Sequence, residues 1–325
     1  MRFTIYGAGA IGGVIGARLF QSGQDVRLIA RGRHAEIIDR AGLRLRSPEG
    51  DVTLPIPVVD GGSGLAGCPF GPDEVVVLAV KSDATVDAID RLAEAAPPSI
   101  AVVCAQNGVE NERVALRSFG AVQAMCVMMP AEHVEPGVVV AYASPLPGLL
   151  DVGRYPSGVD DDSYEVADAL TGAGFASVPR ADIMAWKYNK LLMNLGNVLE
   201  AACGRDGAVR EIASRARREA RACFAAAGIV ATPTDEERAR RGDLLQIGQI
   251  DGAERGGGST WQSVMRSTGR VETEYLNGEI VLLGRLHDVP TPVNEFLVHL
   301  GRDLVATGAA AGSVDAHELL ARLDS

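Results

Sequence analysis

At 325 residues with 47% apolar side chains, the chain is too long for one small core and fits two domains. Its 31 Lys and Arg against 42 Asp and Glu leave a formal charge of −11, which argues against nucleic-acid and anionic-membrane partners, both bound through basic surfaces. The five cysteines, Cys68, Cys104, Cys126, Cys203 and Cys223, are scattered, mostly in apolar runs. With no C-x-x-C and no metal spacing, they are expected to be reduced core residues of a cytoplasmic protein with no metal site. No signal peptide or membrane span is expected either.

The chain opens on a strand, Phe3 to Tyr6, followed by Gly7, Gly9 and Gly12 at G-x-G-x-x-G spacing and by helix-spaced apolar residues from Ile11 to Phe20. This order predicts a dinucleotide site over Gly7-Ala8-Gly9-Ala10-Ile11-Gly12. The first glycine allows the turn, the second lets a pyrophosphate approach, and the third lets helix and strand pack. The helix N-terminus adds free N–H groups. A merely structural glycine turn is the competing reading. After the second strand, Asp25 to Ile29, an acid would accept bonds from the ribose hydroxyls of NAD. Here the sequence is Ala30-Arg31-Gly32-Arg33, whose guanidinium groups suit a 2′-phosphate instead, unless they only line a solvated loop. NADP(H) is the expected cofactor, with Arg31 the better placed of the two arginines.

Gly42 to Pro57 reads as a hairpin around Pro48-Glu49-Gly50-Asp51, and Gly61 to Pro72 as a glycine-rich loop. The β-branched run Glu74 to Val80 suits a buried parallel strand and ends at Lys81. A helix over Asp83 to Ala95 and a strand over Ile100 to Cys104 follow, the latter ending in Gln106-Asn107-Gly108. Lys81 and Asn107 therefore lie beyond strand ends, where open parallel sheets bind ligands. Val122 to Met129, Gly137 to Ala143 and Gly148 to Val152 read as an antiparallel appendage, followed by a helix over Asp160 to Ala173 and a short strand over Phe175 to Val178. From Ala181 onward the pattern is helical with no strand: Ala181 to Ala202, Ala208 to Ala227, Asp235 to about Ile250, Thr260 to Leu286 with a break near Gly269, Pro292 to Ala306 and Ser313 to Leu323, with Thr291 and Ser313 as N-caps.

In the helical part, Lys190, Asn194 and Asn197 are spaced i, i+4, i+7 and would share one face of a continuous helix, either as a binding stripe or as a solvent face. Gly256-Gly-Gly-Ser259-Thr260-Trp261 is a loop leading into a helix whose hydroxyls and N–H groups could receive a carboxylate, or in which Ser259 is only a cap. Glu272-Thr-Glu274-Tyr275 places carboxylates on a helix, which are surface groups or site groups.

Taken together, these stretches resemble the ketopantoate reductase (2-dehydropantoate 2-reductase) family over nearly the whole chain. The matches run in order through Gly7 to Gly12, Arg31, Lys81, Gln106-Asn107-Gly108, Lys190-Leu-x-x-Asn194, Ser259-Thr260, Glu272 with Tyr275, Asn277-Gly278, and His287-Asp-Val-Pro-Thr-Pro-Val-Asn294. The resemblance implies an α/β fold: an N-terminal Rossmann-type doubly wound domain over 1–180, an all-helical substrate domain over 181–325, and an active site between them. It implies reduction of a 2-keto acid by NADPH, ketopantoate to pantoate in pantothenate and CoA biosynthesis foremost. Lys190 would be the general acid and Glu272 would position the substrate hydroxyl or the lysine. Asn107, Asn194, Asn197, Ser259 and Thr260 would be substrate-binding residues, and Lys81 and Asn107 would join the cofactor site.

The sequence also departs from the family pattern. The usual second asparagine, eight residues after Lys190, is Val198 here, and Asn197 stands about 100° away on a helix. Thr260 replaces a more usual serine and Trp261 adds bulk. A reductase of another 2-keto acid, or a non-catalytic NADPH-binding sensor, stays open beside ketopantoate reduction. The expected partner is a small keto acid, with no nucleic acid and no membrane. A homodimer is one option for the oligomeric state.

Overall fold

The computed structural model describes residues 1–65, 67–204, 207–250 and 272–324. They fall into two compact units. The first is Met1–Trp186 joined by 234–250, and the second runs from Lys187–Pro233 to 272–324.

The first unit alternates strand and helix from the start. The elements are β1 (Arg2–Tyr6), α1 (Ala10–Gln21), β2 (Asp25–Ala30), α2 (Gly32–Ala41), β3 (Leu43–Ser47), β4 (Gly50–Leu54), β5 (Val58–Asp60), β6 (Glu74–Leu78), α3 (Thr85–Ala95), β7 (Ala101–Cys104), α4 (Asn111–Leu116) and β8 (Ala121–Met128). Then come β9 (Ala131–Glu135), β10 (Val138–Ala141), β11 (Ala143–Pro145), β12 (Leu149–Arg154) and α5 (Asp161–Gly172). Seven strands form the main sheet in the order β12-β8-β7-β6-β1-β2-β5, all parallel except β12. The chain winds outward from β1 through β2 to β5, then returns to β6 and winds the other way, so the switch point lies between β1 and β6. Both sheet faces are covered, which is why β6 and β7 are buried along their whole length.

Three strands of this sheet are tied by a buried polar trio. Arg27 of β2 donates to Thr4 of β1 at 2.6 Å and to Glu74 of β6 at 2.5 Å, and the Thr4 hydroxyl donates to Glu74. Thr4 and Glu74 are 0% and 3% exposed, so the charge is taken out of water and stabilised by its partners.

The expected hairpin is present as β3 and β4, but it belongs to a second, four-stranded sheet, β4-β3-β10-β9. The expected antiparallel appendage is corrected accordingly. β8 continues the parallel sheet, β12 closes its edge, and the Gly137 to Ala143 stretch supplies β10 to the second sheet, through parallel pairing with β3, while Ala143 begins β11. Phe175 to Val178 forms no strand, only isolated bridges from β12 to Ala176 and Pro179. Helix α5 begins at a capping box in which the Asp160 side chain accepts from the Ser163 N–H and the Ser163 hydroxyl accepts from the Asp160 N–H.

The remaining elements are α6 (Ile183–Asn194), α7 (Asn197–Cys203), α8 (Gly207–Ala227), α9 (Thr234–Arg241), β13 (Leu245–Ile247), α10 (Thr273–Leu286), α11 (Pro292–Thr307) and α12 (Ala316–Asp324). The described residues of the second unit form helices and no strand, as expected of a helical domain, and the strand that follows residue 180, β13, belongs to the first unit. β13 pairs antiparallel with β11, and α9 stops at Arg241, well short of Ile250. The expected helix from Ala181 to Ala202 is two helices, interrupted at Leu195–Gly196. Helix α12 is capped by Asp315, which accepts from the His317 N–H at 2.8 Å, rather than by Ser313. Among the described residues no helix is long and apolar enough to cross a membrane, and no cluster of three or more His, Cys, Asp or Glu could hold a metal ion.

Candidate active site

The glycine turn joins β1 to α1 at the switch point, and each glycine has its own reason to be there. Gly7 has φ +107°, and a Cβ on it would lie 2.8 Å from the Val80 nitrogen. A Cβ on Gly12 would run into the Gly7 carbonyl and lie 2.9 Å from the Ala79 Cβ. Nothing stands within 4 Å of the place where a Cβ on Gly9 would sit, so that side of the turn is open. Turn, open approach and close packing are what a pyrophosphate cradle requires of the three positions. Helix α1 has no side-chain cap and no acid in its first turn, which leaves the dipole unopposed toward an anion.

Next to the turn, the carboxyl ends of β6 and β7 are stitched by a polar network. The Gln106 amide donates to the Val80 carbonyl and the Thr85 hydroxyl, both at 2.8 Å. Thr85 donates to Asn111, whose amide donates to the Asn107 carbonyl at 3.0 Å. Ser82, Thr85, Gln106 and Asn111 are all at most 5% exposed, so this network rigidifies the segments that carry Lys81 and Asn107. Neither Thr85 nor Asn111 was singled out by the sequence. The i, i+4 step from Asn107 to Asn111 was the available signal. Arg31 is exposed and extended (φ −133°, ψ 148°) as the N-cap of α2, directly after β2.

In the second unit, Lys190 is half-buried, whereas Lys187, three residues earlier, is 3% exposed. Asn194, one turn after Lys190, is 7% exposed and is the last residue of α6. The last carbonyls of this helix lack intrahelical donors and are met from neighbouring helices. The Arg217 guanidinium of α8 donates to the Leu192 carbonyl at 3.2 Å, and the Asn277 amide of α10 donates to the Leu195 carbonyl at 3.1 Å. Asn277 also donates to Asn294 at 3.0 Å, and Asn294 donates to the Ala216 carbonyl and to Glu219 at 3.0 and 2.7 Å. Glu219 in turn accepts the Val293 and Asn294 N–H groups, capping α11 from another helix. The Asn277 and Asn294 motifs thus converge on the end of the Lys190 helix.

The break at Leu195–Gly196 removes the premise that Asn197 shares a face with Lys190 and Asn194 by helical spacing. Asn197 opens α7 and lines a cavity of about 550 Å³ with Met193, Glu200, Arg210 and Arg217, and neither Lys190 nor Asn194 is among its lining residues. Val198 is 1% exposed, part of the apolar interior. Glu272 is half-buried as the N-cap of α10, with its carbonyl accepting from the Tyr275 N–H at 2.9 Å, while Glu274 pairs with Arg302 at 2.5 Å. Ser259 and Thr260 lie outside the described residues.

Residues 3–156 match the family model "Ketopantoate reductase PanE/ApbA", and residues 182–304 match that of its C-terminal part. The chain belongs to the ketopantoate reductase family. It is 28% identical over 308 residues to the 2-dehydropantoate 2-reductase of Pyrococcus horikoshii, covering 91% of this chain and 95% of that one. Identity to the enzyme of that name from Mesorhizobium japonicum is 29% over 339 residues, covering 94% and 98%. Among solved structures, the PanE/ApbA family ketopantoate reductase of Ralstonia eutropha JMP134 is similar with a TM-score of 0.79 at 26% identity, over 95% of this chain and 99% of that one. A D-mandelate dehydrogenase solved with NADH and anilino(oxo)acetate has the same fold, with a TM-score of 0.80 at 21% identity over 95% and 99%. As a ketopantoate reductase family member the chain is an oxidoreductase acting on CH–OH groups, and its doubly wound sheet with helices after it is the family's fold.

Proposed function

We propose that the protein reduces a 2-keto acid to the 2-hydroxy acid with NADPH, and that ketopantoate, giving pantoate for pantothenate and CoA synthesis in the cytoplasm, is its substrate. In this reading residues 1–180 are the NADP(H)-binding domain and 181–325 the helical substrate domain, and a homodimer is the assembly to test. The observation that carries the reaction is Lys190, a half-buried lysine one turn before the buried Asn194, on a helix whose last carbonyls are held by Arg217 and Asn277.

NADPH, when bound, supplies the hydride for the carbonyl carbon. Lys190 draws the negative charge that develops on the carbonyl oxygen and gives it the proton from Nζ. Glu272 orients the substrate hydroxyl or the lysine, Asn107 and Asn194 hold polar groups of the keto acid, and Ser259 and Thr260 receive its carboxylate. The open side of Gly9 and the α1 N-terminus take the pyrophosphate, Arg31 takes the 2′-phosphate, and Lys81 orders the nicotinamide end.

A specific observation favours a second reading, in which another 2-keto acid is the substrate. Val198, buried in the apolar interior, stands where the family usually has an asparagine. The test is NADPH oxidation against ketopantoate, trimethylpyruvate (the same skeleton without the hydroxyl) and phenylglyoxylate. Highest kcat/KM for ketopantoate supports the first reading and a higher value for either of the others the second. Stoichiometric NADPH binding with no turnover on any keto acid favours a non-catalytic sensor.

A further inference from the structure

His34, the third residue of α2, joins three segments that are distant in sequence. Its Nε2 is 2.7 Å from the Ala8 carbonyl oxygen in the glycine turn, and its Nδ1 accepts the Gly137 N–H, from the turn between β9 and β10, at 2.8 Å. A backbone N–H can only donate, so Nδ1 is unprotonated. Nε2 therefore carries the hydrogen and donates it to Ala8. The His133 ring packs on His34 with centroids 4.3 Å apart. Gly137 has φ +83°, and a Cβ there would run into Ile37, so this turn is pressed directly onto α2.

In a planar trans peptide the C=O and N–H point in opposite directions. Holding the Ala8 oxygen toward His34 therefore aims the Gly9 N–H away from α2, out of the turn whose Gly9 side is open. Glycine turns are conformationally permissive, and a flip of the Ala8–Gly9 peptide would present a carbonyl oxygen to an arriving phosphate instead of an N–H. We infer that His34 is a positioning residue for cofactor binding, locking the Ala8–Gly9 peptide in the orientation that receives the pyrophosphate. The inference rests on the dinucleotide reading of the turn given above.

Three variants separate the two ring contacts, because a glutamine amide reproduces the Nε2 donor and an asparagine oxygen reproduces the Nδ1 acceptor. NADPH titration is expected to show Kd raised about tenfold, the scale of one lost hydrogen bond, for His34→Ala and His34→Asn, with His34→Gln close to wild type. The loss should fall on KM for NADPH more than on kcat. Amide ¹⁵N relaxation of the cofactor-free protein should show added motion of the Gly9 N–H in the same two variants and not in His34→Gln. Wild-type affinity in His34→Ala overturns the proposal, as does rescue by Asn but not by Gln, which would assign His34 to the second sheet alone. Equal loss in all three variants overturns it too. If the wild type binds no nicotinamide nucleotide, the cofactor reading fails, and unchanged or added motion at Gly9 then decides the peptide lock by itself.

Discussion

The Asn277 side chain of α10 donates to the Leu195 carbonyl at 3.1 Å, so a residue 82 positions away satisfies the backbone at the end of the Lys190 helix. Asn277 is 1% exposed, so its removal takes this donor from a buried carbonyl. Asn277→Ala should destabilise the protein by about 1–3 kcal/mol, the cost of an orphaned buried acceptor. It should also lower kcat more than NADPH affinity, because the carrier of Lys190 loses its anchor. Urea unfolding and steady-state kinetics on the same preparation check both.

Lys190→Ala should lower kcat by about 10²–10⁴, the range for a positioned general acid, with NADPH affinity little changed. Lys187 is 3% exposed, and its removal should appear mainly as a lower thermal midpoint. Turnover lost in a folded Lys187→Ala and kept in Lys190→Ala would reverse the assignment.

NADPH should bind more tightly than NADH, and Arg31→Ala should narrow the gap by roughly 1–3 kcal/mol, the scale of a charge-assisted contact. Fluorescence titration with both nucleotides measures it. Equal wild-type affinities would remove Arg31 from the cofactor site.

With α6 ended before it, Asn197 should not read the ketopantoate hydroxyl. Asn197→Ala is expected to change the kcat/KM ratio of ketopantoate to trimethylpyruvate by less than about threefold, well under one buried hydrogen bond. A selective loss for ketopantoate would restore Asn197 to the substrate site.

The His34 pKa lies below the usual histidine value because burial penalises the imidazolium, with the bond to Ala8 opposing. The unfolded chain therefore binds the proton first as pH falls. Stability from this group is complete above the ordinary histidine pKa and is lost on acidification through it toward the lowered value, by less than about 1.4 kcal/mol per pH unit. The urea midpoint should fall between neutral and mildly acidic pH more steeply in the wild type than in His34→Gln, whose ring is gone while His133 remains. Parallel slopes would count against it.

The sequence showed most clearly what depends on neighbouring residues. Gly7, Gly9 and Gly12 announce strand, turn and helix because each glycine answers a local steric demand. Other features depend on remote partners. The pairing of β10 with β3 joins Val138 to Arg44, and the three residues of β13 are a strand only because Ala143 to Pro145 lies beside them. The end of α6 sits in an apolar run where only Gly196 hinted at it, and the donors that cap it, Arg217 and Asn277, come from two other helices. Helix α2 was obscured by the glycine at its first position, although Ala35 and Ile38 supply its buried face.

The trio of Thr4, Arg27 and Glu74 has a consequence at the carboxyl ends of the strands. A guanidinium, a hydroxyl and a carboxylate meet in one alignment of β2, β1 and β6. Sliding β2 or β6 by a single residue would turn its charged member to the other face of the sheet, and sliding β1 would take away the Thr4 hydroxyl that both charges use. The same slide would offset the loop it carries by about 3.3 Å. The glycine turn, Arg31 and Lys81 all hang from these three strands, so their mutual spacing is keyed by a polar lock within the sheet itself, where no ligand need ever bind.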